Sequence, residues 1–306
     1  MNLPTFRATA LAMLLPTMAV AQVTPKSSPD TAVRVDVATP PAADGPAPYG
    51  GYTLFNPTPA DKLRSFSTDR PNKGTSPITV DAGHLQIETD LFGVAYDGYN
   101  TSNTISRQFF TADPVIKLGL TDHWDIEINL GGYQDLRVKD RAARQTSRFS
   151  GYGDTVLKTK INLFGANGGD TALAVVPFVK LPTAGRGLGN DHVEGGVIST
   201  YSYSLPWKIT ATVSPEIDVL QNGNNRGSHM AFTGSVNFSR PITETLTANV
   251  ELWTQVQAAH TPTQYSLDLA VAYAIGDNSQ IDAATYIGLN KATPDVVGYV
   301  GFAHRF

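Results

Sequence analysis

The chain has 306 residues, of which 16% are charged, a formal net charge of -4, and no cysteine. The slightly acidic balance argues against nucleic acid as a partner, and the lack of cysteine excludes disulfides, thiolate metal sites, cysteine nucleophiles and a lipid-modified N-terminal cysteine. Beyond the N-terminus no apolar run reaches the roughly 18 residues of a membrane-crossing helix, so only a closed β-barrel would take this chain into a membrane.

The N-terminus has the pattern of an export signal. Arg7 precedes an apolar run that ends in Ala19-Val20-Ala21, the small-x-small motif that signal peptidase cuts. We therefore expect residues 1–21 to be a cleaved signal peptide. The alternative is an apolar helix that stays attached, although this run is too short to span a bilayer comfortably.

Residues 22–82 are predicted to form a leader, not a domain. Eight prolines fall between positions 22 and 60, with little hydrophobic periodicity, which is typical of extended or disordered chain. The end of the leader differs because it carries charges just before the first predicted strand: Arg64, Asp69, Arg70 and Lys73. Two interpretations stay open. These residues fold back to plug or line the periplasmic mouth of a barrel, or they belong to a solvated linker.

From residue 83 onward, short segments alternate apolar and polar residues. In `TLTANVELWTQVQ`, Leu246, Val250 and Val256 fall on one face, whereas Glu251 and Trp253 fall on the other, as in a β-strand. Twelve such segments are predicted, at 83–96, 108–120, 124–137, 152–164, 171–182, 193–205, 207–220, 229–239, 246–257, 264–275, 279–289 and 295–306.

The connections between these segments alternate in length. Short ones such as `TDH` and `GDNS` take turns with long ones such as `DGYNTSNTISRQ`, as the periplasmic turns and external loops of outer-membrane barrels do. We therefore predict an all-β, antiparallel outer-membrane β-barrel of about 12 strands over residues 83–306. It would lie among outer-membrane lipids of a Gram-negative bacterium, with both termini in the periplasm.

Aromatic residues near the predicted periplasmic strand ends support this prediction, because such residues form a girdle at the membrane interface. A soluble β protein with ordinary core aromatics is the alternative. The residues concerned are Trp124, Phe164, Tyr203, Trp207, Phe238, Tyr273, Phe302 and Phe306.

Six stretches resemble a known family. They are `STDRPNKGTSPITVDAGHLQIET`, `LGLTDHWDIEINL`, `GYGDTVLKTKINLFG`, `VVPFVKLPTAG`, `AYAIGDNSQIDAATYIGLN` and the terminal `HRF`. Here the chain resembles the bacterial outer-membrane, transporter-like proteins labelled "putative MetA pathway of phenol degradation", from about residue 65 to the end. The resemblance implies a link to the handling of phenolic compounds but does not name a substrate. It also implies that the last strand, with Phe302 and Phe306, is the signal read by the barrel assembly machinery.

The polar face of the predicted strands is rich in charge. We assign these residues to the lumen and the transport path: Glu88, Asp90, Lys117, Asp125, Glu127, Lys158, Lys160, Lys180, Glu251, Trp253, Asp268, Asp282 and Arg305. Either they line a water-filled lumen that selects solutes, or they form ion pairs that fill a narrow barrel.

Barrel closure would place Arg305 beside the first strand, near Glu88. Trp253 and Tyr286 share the inward face, where they would either stack on aromatic ligands or pack against a plug.

These features predict a channel for passive diffusion of small solutes, with aromatic or hydrophobic ones as candidates. The alternative is a structural or adhesive barrel that transports nothing. No enzyme activity, catalytic residue, metal or cofactor is predicted, because no histidine has the spacing of a catalytic triad and the pair His192 and Glu194 lacks a third ligand.

Overall fold

A computed structural model of the protein describes residues 51–222, 226–257 and 261–306. The predicted signal peptide and the first half of the leader lie outside these residues. The strands are β1 Leu85–Asp97, β2 Thr104–Thr111, β3 Val115–Thr121, β4 Trp124–Asn129, β5 Tyr133–Asp140, β6 Thr146–Tyr152, β7 Thr155–Phe164, β8 Thr171–Leu181, β9 Glu194–Leu205, β10 Ile209–Gln221, β11 Ser228–Pro241, β12 Leu246–Gln257, β13 Gln264–Ile275, β14 Ser279–Gly288 and β15 Val296–Arg305. Two single 3-10 turns, Ala60–Lys62 and Pro206–Lys208, accompany them. None of the described helices is long and apolar enough to cross a membrane.

The strands form one closed antiparallel barrel. One full crossing of the barrel wall, whether continuous or interrupted, is here called a stave. Successive staves pair along the sheet, and β15 pairs with β1, with Gln86 opposite Arg305. Three staves are each interrupted once, so β2 and β3, β4 and β5, and β6 and β7 are halves of single staves. The fifteen segments therefore make twelve staves, and the predicted antiparallel barrel is confirmed.

The interruptions are the main difference from the sequence prediction, which treated each of these staves as one shorter strand. They lie at residues 112–114, 130–132 and 153–154. Pro114 has no backbone N–H to donate, and Gly131 has a φ of 65°, which glycine adopts without strain. Beyond the breaks, β2, β5 and β6 pair with one another. They extend the staves into residues 104–107, 138–140 and 146–151, which were expected to lie in external loops.

A bulge in β1 also changes the simple alternation. The register against β15 shifts between Asp90 and Phe92, and the side chains of both Leu91 and Phe92 are exposed. An extra residue in one strand moves the following side chains to the opposite face. Asp90 therefore faces the lumen before the bulge, and Gly93 faces it afterwards.

The barrel is apolar outside and polar inside. On β12 the exposed Val250 and Leu252 alternate with the buried Glu251 and Trp253. Large fully buried side chains include charged ones such as Lys117. This arrangement is the reverse of that in a soluble protein, and it suits an outer face in contact with hydrocarbon.

One end of the barrel, here called the short-turn end, carries the β3–β4, β7–β8, β9–β10, β11–β12 and β13–β14 connections; the opposite end is called the loop end. Most of the girdle aromatics predicted from the sequence are exposed at the short-turn ends of their strands. These exposed residues are Trp124, Phe164, Tyr203, Trp207, Phe238, Tyr273 and Phe306. Phe302 is half-buried on the outer face of β15.

Residues 63–82, here called the inner segment, enter the barrel at its short-turn end. The segment runs inward to a turn at residues 69–76, here called the tip, and returns to β1. Near the entrance it contacts the β3–β4 connection, where Arg64 donates to the carbonyl oxygen of Asp122. At the tip it contacts the middle of β12, where Lys73 N–H donates to Glu251.

Candidate functional site

Asp81 joins the base of the inner segment to the last strand. Its carboxylate lies 2.8 Å from Nε of Arg64 and 2.7 Å from Nη1 of Arg305. Arg64 also donates to the backbone carbonyls of Asp122 and Ala166, at 3.0 and 3.2 Å. These buried contacts tie both arms of the segment to the short-turn end.

The expected proximity of Arg305 to Glu88 is therefore replaced by another pairing. Arg305 binds Asp81, and Glu88 binds Lys117 with an Nζ–Oε1 distance of 2.6 Å. Arg305 lies opposite Gln86 in the β1–β15 ladder. Strand periodicity offered no reason to choose Asp81, because this residue precedes the first strand and has no periodic partner.

A buried cluster of two lysines and three carboxylates holds the tip. Nζ of Lys160 lies 2.7 Å from Asp69 and 3.3 Å from Glu127, and Lys117 binds Asp69 and Glu88. Four of these side chains come from β1, β3, β4 and β7, whereas Asp69 comes from the tip. Buried charges persist when they are paired in this way.

Asp69 also shapes the tip itself. Its Oδ1 accepts hydrogen bonds from the Thr75 hydroxyl at 2.5 Å and from the Ser76 N–H at 2.8 Å. Burial by itself raises the pKa of the Asp69 carboxyl, but Lys117 and Lys160 outweigh it and hold this pKa well below its usual range. Asp69 therefore remains an anion that links the turn to the wall.

Asp125 supports the returning arm of the inner segment. Its Oδ2 accepts the N–H of Val80 at 2.9 Å, and the Asp125 side chain is fully buried. This carboxylate therefore binds backbone of the segment.

Arg70 attaches the tip to the seam of the barrel. Its guanidinium makes two hydrogen bonds to Asp282, at 3.0 and 3.1 Å, and one to Asp90 at 2.6 Å. It also lies over the ring of Tyr299, 4.9 Å from the centroid. Gly301 provides the space, since a Cβ at this position would overlap sterically with Nη2 of Arg70.

Lys73 projects from the tip between two aromatic rings. Its Nζ lies 3.8 Å from the centroid of Trp253 and 4.5 Å from that of Tyr286. The same atom lies 2.6 Å from the Ser266 hydroxyl and 3.1 Å from Asp268. Trp253 and Tyr286, both on the inward face as predicted, thus contact the inner segment.

Hydrogen bonds to its backbone fix the tip against β9 and β12. The carboxylate of Glu251 accepts the N–H groups of Lys73 and Gly74, at 2.8 and 3.0 Å. The Thr200 hydroxyl donates to the carbonyl of Thr75 at 2.6 Å. Gly74 lies so close to the wall that a Cβ there would be 2.9 Å from Oε2 of Glu251, so the tip touches this side directly.

Lys158 and Lys180, also assigned to the lumen, lie closer to the loop end. Lys158 is half-buried on the same face of β7 as Lys160. Nζ of Lys180 lies 2.9 Å from Asp154 and 3.3 Å from Glu194. Glu194 is thus engaged in an ion pair, and no group of three or more His, Asp or Glu side chains in the described ranges is placed to hold a metal.

Several contacts of the inner segment involve residues that the sequence analysis did not single out, and four of these residues are informative. They are Asp81, Thr200, Ser266 and Tyr299. Tyr299 could have been predicted from the sequence, because it has the same parity as Arg305. Thr200 and Ser266 could not, since serine and threonine occur on both faces of these strands.

A cavity of about 340 Å³ separates the inner segment from the opposite wall near the short-turn end. The strands that line it contribute mainly uncharged polar side chains. Examples are Ser202, Thr212, Asn237, Ser239 and Asn249. Gly74 and Glu251 also border the cavity, so the tip limits it toward the middle of the barrel.

Comparison with solved structures finds similarity to other outer-membrane β-barrels. The COG4313 outer membrane channel from Pseudomonas putida F1 has a TM-score of 0.57 and 12% identity, with 78% of this chain and 100% of that chain covered. The translocator domain of the autotransporter NalP from Neisseria meningitidis has a TM-score of 0.48 and 11% identity, with 78% and 90% covered. At 12% identity, the similarity to the Pseudomonas putida channel concerns the fold alone. No curated protein matches the chain.

A family model matches residues 68–306, which include the tip of the inner segment as well as the whole barrel. The match covers well over half of the chain, and it agrees with the resemblance carried by the sequence motifs. The chain therefore belongs to the family described as "Putative MetA-pathway of phenol degradation".

Proposed function

We propose that the protein is an outer-membrane channel through which small solutes diffuse passively, with its short turns and both termini facing the periplasm. The observation that carries this proposal is a closed barrel with an apolar outer face and a polar, charged interior. The similar barrel from Pseudomonas putida is itself described as an outer membrane channel, which supports the same assignment.

The inner segment is proposed to act as a plug that controls this channel. It makes ion pairs through Asp69, Arg70, Lys73 and Asp81 with strands on several sides of the lumen. Such pairs leave little room for an open pore on the side of β1, β3 and β7. The barrel charges predicted to line a transport path thus serve in part to hold the plug.

The cavity along β9 to β13 supports a route past the plug. It is bordered by hydroxyl and amide groups, and the tip limits it at Gly74. A modest displacement of residues 73–75 from Glu251 and Thr200 would extend the cavity toward the loop end. Passage of solutes would therefore depend on the contacts of the tip backbone with Glu251 and Thr200 and on those of the Lys73 side chain with Ser266 and Asp268.

Liposomes provide the test. The full mature chain and a variant lacking residues 61–79 would be reconstituted, and the entry of benzoate would be compared with that of a pentose. Neutral phenol is unsuitable because it crosses hydrocarbon unaided. We expect slow entry through the full chain and faster entry of both solutes through the deletion variant. Unchanged conductance and solute selectivity after the deletion would refute the plug.

The same assay addresses the solute and the alternative function. The family description mentions phenol degradation, which makes aromatic solutes candidates, and preferential entry of benzoate would support them. A structural or adhesive barrel is the second candidate, because the ion pairs between the plug and the wall, such as those of Asp69 and Asp81, are largely buried. Negligible entry of both solutes, with and without residues 61–79, would favour it.

Recognition by the barrel assembly machinery is proposed for the last strand. Phe306 is exposed, and its N–H donates to the carbonyl of Leu85 at the start of β1. Removal of Phe306 should lower the amount of folded protein in the outer membrane. Equal amounts of folded protein with and without this residue would contradict the assignment.

A further inference from the structure

Trp253, Ser266, Asp268 and Tyr286 form a site here called the ammonium cage. They come from β12, β13 and β14, and the pairing of these strands brings them together: Trp253 lies opposite Ser266, and Asp268 lies opposite Tyr286. Two aromatic rings, one hydroxyl and one carboxylate therefore converge at one place on the lumen wall.

The cage has the chemistry that recognises an organic cation. Aromatic faces attract a cation within about 6 Å of the ring centroid, and the attraction grows when water is excluded. The present occupant, Nζ of Lys73, lies well within this range of both rings and next to Asp268. A carboxylate in its place would be repelled by Asp268 and Glu251.

The occupant of the cage does not belong to the barrel wall. Lys73 is part of the tip, and its side chain remains 17% exposed, so water in the lumen reaches it. Lys73 can therefore leave the cage, and a solute can take its place, without any change in the residues that form the wall.

We propose that the ammonium cage is a binding site for small solutes that carry an organic ammonium group, and that such solutes compete with Lys73. Binding of a solute displaces Lys73 from Trp253 and Tyr286 and so weakens the attachment of the tip. This inference rests on the proposed channel function, because the solute reaches the cage through the lumen.

Binding can be measured directly on the purified, folded chain in detergent micelles. The chain has three tryptophans, so the changes Trp124→Phe and Trp207→Phe, both at exposed positions, leave Trp253 as the single fluorophore. Tetramethylammonium is the probe, and tert-butanol serves as an uncharged probe of similar size. Heat-modifiable migration in gel electrophoresis establishes that each variant is folded.

The decisive variants change Lys73, which occupies the ammonium cage, and Asp268, which belongs to its wall. Lys73→Ala should bind tetramethylammonium about tenfold more tightly than the parent, because the competing ammonium is gone. Lys73→Met, which keeps the aliphatic stem, should also bind tetramethylammonium more tightly than the parent. It replaces Lys73→Ala in the experiment if that variant does not fold. Adding Asp268→Asn should reduce the affinity gained. Lys62→Ala, at an exposed position outside the barrel, should behave as the parent does.

Two outcomes would overturn the proposal. One is equal affinity in the parent and in the folded Lys73 variants, and the other is equal binding of tert-butanol and tetramethylammonium. Entry of tetramethylammonium into liposomes separates this proposal from the channel. Binding without entry of any solute would retain the cage and refute the channel, whereas entry of other solutes without binding would do the reverse.

Discussion

The two sides of the lumen hold the inner segment in different ways. On the side of β1, β3, β7, β14 and β15, charged residues such as Lys160 and Asp282 bind it through buried ion pairs. On the side of β9 to β12, residues such as Asn237 and Ser239 border a cavity. A buried charge is costly unless it is paired, whereas hydroxyl and amide groups can bind water instead. Ion pairs therefore hold the segment on the first side, here called the charged side. On the second side, here called the neutral side, Glu251 binds the backbone of the tip, and uncharged polar residues border the space available to solutes.

The largest effect is expected on the charged side, from Asp69→Ala. The change leaves Lys117 and Lys160 short of one partner each and removes the bonds that close the tip. Breaking such a buried network costs about 3–5 kcal/mol. The free energy that holds the segment should fall by this order, and limited proteolysis should cut residues 63–82 much faster. Asp61→Ala, at an exposed position, is the control; equal cleavage rates would show that the charged side does not anchor the segment.

A smaller effect is expected from Gly301→Val, which fills the space that Arg70 occupies. Overpacking of this kind costs roughly 1–3 kcal/mol. The loss of the contacts to Asp282 should raise single-channel conductance in planar bilayers. Gly298→Val is a matched control on the same strand, because its Cβ would meet only the carbonyl of Ala284 at 3.9 Å. Equal conductance in the two variants would count against the role of Arg70.

The neutral side can be tested by chemical modification, since the chain has no cysteine of its own. Asn237→Cys places a single thiol on the cavity, and Val236→Cys places one on the outer face of the same strand. A sulfonate-bearing thiol reagent should lower pentose entry through Asn237→Cys by about half, because the pore width limits passage. It should leave Val236→Cys unaffected. The same change in pentose entry in both variants would show that solutes do not pass along this cavity.

The smallest effect is expected where the tip meets the neutral side. Thr200→Val removes the hydrogen bond to the Thr75 carbonyl, worth about 0.5–1.5 kcal/mol. Hydrogen exchange of the amides in residues 73–76 should become correspondingly faster. Ser199→Val, one residue earlier and on the outer face, should leave these amides unchanged. A similar acceleration in both variants would point to a general loosening of β9.

Much of this arrangement was predictable because the lipid-facing and lumen-facing sides of a strand differ so strongly in polarity. Alternation identified the twelve staves, and parity placed Glu251 and Trp253 inside. It did not identify the bulge after Asp90 or the break at Gly131, because glycine and short polar residues also end strands. The partners of the inner segment were hidden for another reason. Trp253 and Tyr286 meet Lys73 only after β12, β13 and β14 have paired in register.

The contact between Asp81 and Arg305 has a consequence for barrel closure. Asp81 lies just before β1, and Arg305 lies on β15, so the two residues flank the seam at which the barrel closes. If the seam closed with the inner segment outside, Arg305 would be left as a buried cation without this carboxylate, which is costly. Insertion of the segment and closure of the β1–β15 seam are therefore thermodynamically coupled, and the strand that closes the barrel also retains the segment within it.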